Sequence, residues 1–104
     1  MKQKYNKLVR DNVPLLIEIQ RKKFKFHQAS DEEYRQKLKE KLVEEVNEFV
    51  ENPCIEELAD IQEVLNTILY DMQLDDQQLL KAMFAKTTIN GAFKERFILE
   101  WVKN

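Results

Sequence analysis

The chain has 104 residues, enough for one domain but near the lower limit for burying a self-sufficient core, so association with further copies is expected. Its 17 Lys+Arg against 19 Asp+Glu give a net charge of −2, a balance that does not fit a binder of polymeric nucleic acid. With 43% hydrophobic and 35% charged residues the composition suits a folded helical protein, and one Gly and two Pro leave few breaks for many short strands. The single Cys54 has no internal disulfide partner, which suits a reducing compartment. No apolar run is long enough to span a membrane, and charge from Lys2 onward is unlike a signal peptide. The expectation is a cytoplasmic, all-α, single-domain protein over residues 1–104.

Residues 1–10 mix basic side chains with Tyr5, Leu8 and Val9. Asp11 or Asn12 can cap a first helix, with Pro14 in its first turn and Leu15, Leu16 and Ile19 as an apolar strip. Arg21, Lys22 and Lys23 follow at its end, where the helix dipole favours cations, and Phe24 to Ala29 reads as a connecting loop. Ser30 with Glu33 forms a capping box that opens a long second helix to about Glu51. Leu38, Leu42, Val46, Phe49 and Val50 share one of its faces. With Leu38 at 0° and about 100° per residue, Glu45 falls near ~340° at the edge of that face, Glu48 near ~280° beside it, and Glu44 near ~240°, pointing away.

Asn52-Pro53 is expected to end this helix and start a third, with Asn52 as cap and Pro53 in the first position, running to about Asp71 or Met72. Leu58, Ile61, Val64, Leu65, Ile68, Leu69 and Met72 supply its apolar residues. Glu57 falls inside their arc and Asp60 at its border. Asp75 and Gln78 cap a fourth helix bearing Leu79, Leu80, Met83 and Phe84, which ends through Thr87–Gly91. The aromatic tail from Phe93 to Val102 is open to three readings: a short strand, an arm, or a last helical turn.

Glu45 and Glu48 are three apart, as are Glu57 and Asp60, so each pair projects from neighbouring turns of one helix face. Two such pairs on facing helices can direct four carboxylates at one cation. The plainer alternative is a solvated face with Lys37, Lys39 and Lys41 as partners. Glu57 weighs against it, since a carboxylate in an apolar arc is costly without a cation or a proton. All-oxygen ligands, with the only histidine, His27, in a predicted loop, favour a hard cation such as Mg²⁺ or Mn²⁺. Such a site suits phosphoryl or nucleotidyl chemistry. Arg10 can grip a phosphate or pair with a carboxylate. Trp101 and Phe93 can stack on a base but equally serve packing, and Cys54 reads as an ordinary small residue.

Glu44-Glu45-x-x-Glu48 followed by Glu57-x-x-Asp60 resembles the signature of the all-α nucleoside triphosphate pyrophosphohydrolases, the MazG-like superfamily. The opening Tyr5-Asn6-Lys7-Leu8-Val9-Arg10-Asp11 and the tail Gly91-Ala92-Phe93-Lys94-Glu95-Arg96-Phe97 resemble its phosphoribosyl-ATP pyrophosphohydrolase-like branch, departing from it at Asn12 and Asn90. The resemblance implies a bundle of about four helices whose core is completed by a homodimer or higher homo-oligomer. It implies Mg²⁺ held by Glu45, Glu48, Glu57 and Asp60, with Glu44 orienting a ligand or water and Glu45 accepting a proton. Lys7, Arg10, Lys86 and Arg96 would bind a nucleotide's phosphates, and hydrolysis would fall between the α- and β-phosphates. The expected enzyme acts on non-standard or surplus nucleoside triphosphates. Phosphoribosyl-ATP hydrolysis and a non-catalytic helical interaction module are the alternatives.

Overall fold

The computed structural model describes residues 2–104. Among them it contains four helices and no strand: α1 Val13–Ile19, α2 Asp31–Glu51, α3 Ile55–Asp71 and α4 Asp76–Asn90. None is long and apolar enough to cross a membrane. The chain divides into two compact units, Met1–Met72 and Gln73–Asn104.

In the first unit, Pro14 lies in the opening turn of α1, where its missing N–H breaks no helical hydrogen bond. Arg21 follows α1 at a φ of 59° and donates its N–H to the Glu18 carbonyl, closing the helix through a left-handed residue. The Ser30 hydroxyl accepts from the Glu33 N–H and opens α2, but the reciprocal half of the expected capping box is not formed, because the Glu33 carboxylate lies 2.9 Å from His27 Nε2 instead. The second helix junction differs from expectation. Asn52 closes α2 by donating its N–H to Glu48, and α3 starts at Ile55 with Cys54 as its N-cap, so Pro53 precedes the helix. The physical reason is local: a residue before proline is pushed out of the helical region, and Asn52 sits at φ −139°, ψ 78°.

This three-residue link folds α3 back along α2, and these two helices make the main packing contact of the unit. The pairing runs antiparallel. Arg35 meets Asp71 at one end, while Glu45 and Glu48 converge with Glu57 and Asp60 at the other. Leu38 and Val64 are buried, with Leu42, Phe49, Ile61, Ile68 and Leu69 half-buried around them. The covered face of α2 is rotated from the apolar arc expected from phasing. Val46 and Val50 are exposed, and Glu45 lies near the middle of the covered face. The cause is a third layer. The N-terminal segment crosses one side of the hairpin, with Lys7 on Glu44 of α2 and Arg10 on Asp60 of α3. Val43, Val46 and Val50 on α2, Leu58 and Leu65 on α3, and Met72 just past its end remain exposed. By helical phasing they form one apolar stripe on the opposite side.

The second unit is one capped helix with an irregular arm. Asp75 and Gln78 complete a reciprocal capping box, and Gly91 closes α4 at a φ of 79°, a conformation that favours glycine. Residues 93–104 contain a turn, in which the Arg96 N–H reaches the Phe93 carbonyl, but no strand and no helical turn.

Candidate metal centre

Four carboxylates come together where α2 and α3 meet. Glu45, Glu48, Glu57 and Asp60 each offer an oxygen, and the four atoms lie within 4.8 Å of one another. Two physical causes produce this. The three-residue spacing places each pair on adjacent turns, and the short link puts the last turns of α2 beside the first turns of α3. A hard cation with ligand bonds of about 2.0–2.6 Å holds its oxygens no more than about 4–5 Å apart, so this spread suits one coordination sphere.

Bringing four carboxylates together has an electrostatic cost. Glu45 is only 6% exposed. Its Oε1 forms an ion pair with Lys41 Nζ at 3.3 Å, while its Oε2 is buried with no hydrogen-bond partner. Glu57 Oε2 is also buried and unpartnered. Burial first, and then the neighbouring Glu48 carboxylate, push Glu45 above the usual carboxylate range, with Lys41 acting in the other direction. Glu57 lies in the first turn of α3, where unpaired backbone N–H groups favour negative charge and offset part of its burial cost. The residues fit a divalent cation: every donor is a carboxylate oxygen, and two buried oxygens lack a partner.

Basic side chains surround the four. Arg10 Nη2 donates to Asp60 Oδ1 at 2.7 Å, and its Nη1 lies 3.9 Å from Glu63. Lys41 bridges Glu44 at 3.2 Å and Glu45 at 3.3 Å. Glu44 does not point away from the fold as phasing suggests. It is half-buried under the N-terminal segment, and the Lys7 hydrogen bond at 2.9 Å, followed by Lys41, holds its carboxyl below the ordinary range. The same pairing raises Lys7. Beside this group an open surface groove of about 230 Å³ is lined by Tyr5, Lys7, Lys37, Glu40, Lys41 and Glu44. Lys37 ties its floor to the N-terminal segment by donating to the Asn6 carbonyl at 2.7 Å.

The structure therefore assembles Glu44, Glu45, Glu48, Glu57, Asp60, Lys7 and Arg10 in the first unit. Lys86, on α4, and Arg96, in the turn after it, are exposed residues of the second unit. Lys41 emerges as more than a solvated partner, and its signal was its spacing of three and four residues from Glu44 and Glu45. Glu63 and Tyr5 carried no such signal, because a tertiary contact brings them in. No family model, no curated protein and no solved structure matches this chain.

Proposed function

We propose that the chain is a Mg²⁺-dependent nucleotide pyrophosphohydrolase, with Mn²⁺ as a substitute ion. It would cleave a nucleoside triphosphate between its α- and β-phosphates to give a monophosphate and pyrophosphate. The observation that carries the reading is the convergence of Glu45, Glu48, Glu57 and Asp60, with buried oxygens of Glu45 and Glu57 left unpaired. The motif resemblance then supplies the reaction and points to non-standard or surplus triphosphates. A bound divalent cation contributes neutralisation of the phosphate charge and a lowered pKa of the attacking water. The protein's own residues do the rest. Glu45 accepts the proton as water attacks the α-phosphorus and the bond to the bridging oxygen breaks. Glu44, tethered by Lys7 and Lys41, fixes the groove wall beside it. Lys7 and Arg10 offer cations to the phosphates. The apolar stripe of Val43, Val46, Val50, Leu58, Leu65 and Met72 is the surface on which a second copy would complete the core as a homodimer.

The test is a nucleotide panel assayed for pyrophosphate release with Mg²⁺. Glu48→Ala and Asp60→Ala are expected to lower kcat/KM by more than about a hundredfold while circular dichroism stays helical. Mg²⁺ should also raise the thermal midpoint of the wild type and leave that of Glu57→Gln unchanged. No pyrophosphate from any nucleotide, together with no divalent-ion binding by calorimetry, would overturn the reading in favour of a non-catalytic interaction module. A rate comparison of phosphoribosyl-ATP with ordinary triphosphates decides between a dedicated and a broad substrate.

A further inference from the structure

We propose that Arg10 is a displaceable stand-in for the metal ion: it neutralises Asp60 while the carboxylate centre holds no cation, and moves to Glu63 when a divalent ion takes Asp60. This rests on the metal-centre reading above, which the unpartnered Oε2 of the 6%-exposed Glu45 supports independently of the acidic spacing.

Two of the four ligand carboxylates already carry a basic partner, but the two partners are held differently. Lys41 is only 16% exposed, bridges Glu44 and Glu45, and lies one turn before them on the same helix. Helix spacing keeps Glu44, outside the four ligands, within its reach when a cation takes Glu45. Arg10 is 58% exposed and reaches Asp60 from the irregular N-terminal segment, fifty positions away in the chain. Exposed ion pairs of this kind contribute little, so a divalent cation with four oxygen ligands outcompetes it. An ion ligated by Asp60 would also lie close to a guanidinium hydrogen-bonded to the same carboxylate, and the like charges would repel. Arg10 has somewhere to go. Its Nη1 is already 3.9 Å from Glu63, one turn further along α3 and outside the four ligands. The exchange therefore leaves no guanidinium stranded, and it turns an exposed cation toward solvent beside the centre, where a phosphate can meet it.

The experiment is a calorimetric titration of Mn²⁺ into the full chain and into Arg10→Gln, Glu63→Gln and the double variant. Arg10→Gln should bind Mn²⁺ roughly two- to fivefold more tightly, the range an exposed ion pair spans. Glu63→Gln should weaken Mn²⁺ binding in the wild-type background and much less so once Arg10 is gone. Equal or weaker Mn²⁺ binding by Arg10→Gln would overturn the proposal, because Arg10 would then be supporting Asp60 rather than competing for it. An equal effect of Glu63→Gln in both backgrounds would also overturn it, since plain through-space attraction between Glu63 and the cation predicts that result. A wild type that binds no Mn²⁺ sinks the metal centre itself. A wild type that binds, with no tightening in Arg10→Gln, sinks the exchange alone.

Discussion

The two units of this chain begin their helices with unequal caps and stabilise them by different means. In the first, the Ser30 hydroxyl caps α2; in the second, Asp75 and Gln78 give α4 a complete reciprocal box. By local chemistry α4 is the better-begun helix. Yet Leu38, Glu45 and Val64 of the first unit are buried, whereas every residue from Gln73 to Asn104 is exposed, with Phe93 at 97%. A cap contributes about 1 kcal/mol, and an isolated helix near 15 residues is marginal in water. The contrast separates what fixes where a helix begins from what keeps it folded. Local hydrogen bonds do the first, and apolar burial across the α2–α3 hairpin does the second.

The largest expected effect follows from that separation. Leu38→Ala should cost roughly 2–5 kcal/mol in a denaturant melt, as truncation of a buried leucine does. Phe84→Ala, on the exposed side of α4, should change the stability of the dilute chain by less than about 0.5 kcal/mol. Comparable losses at both sites would show that the second unit has a core of its own.

A smaller effect separates residues 44 and 45. Glu45→Gln removes a buried carboxylate with an unpartnered oxygen, so it should raise metal-free stability at neutral pH by about 1 kcal/mol while abolishing stabilisation by Mg²⁺. Smaller still are the pH effects, whose signs oppose each other. Glu45 has its folded pKa raised above 4.5, so the folded form takes up its proton first. The resulting cost is absent below the unfolded value and complete once pH has risen through the folded one. Glu44 has its folded pKa lowered below 4.5, so its contribution is present above the unfolded value and is lost as pH falls through the folded one. In metal-free melts, Glu45→Gln should flatten the pH dependence above about 4.5, and a Glu44→Gln variant the dependence below it.

What was legible in the sequence follows the same division. Ser30 as N-cap, Asp75 with Gln78, and Gly91 act within four residues of themselves and match the structure, whereas Glu33 pairs with His27 rather than completing the box with Ser30. The four carboxylates were legible because helical spacing and a short link are also local. Asn52 was misassigned as the cap of α3 because two local roles competed for it, and closing α2 took precedence. The position of Glu44, the exposure of Val46 and Val50, and the Arg10–Asp60 pair were not legible. Each depends on the N-terminal segment lying across the hairpin, through contacts spanning 37 and 50 residues of chain. Phasing a helix by its own apolar residues assumes that apolar neighbours cover it. Here a basic segment covers one side, and the buried face turned toward the acids.

The link between α2 and α3 has a kinetic consequence. All four converging carboxylates lie within sixteen consecutive positions, Glu45 to Asp60, so forming the hairpin closes a very short loop. Contacts of such low order are among the earliest a chain can make. If the hairpin forms in the folding transition state, the mutual repulsion of the four acids is met at the barrier itself. Refolding monitored by stopped flow should accelerate with millimolar divalent ions, while unfolding slows comparatively little, which would make the cation an aid to folding as well as to the folded state.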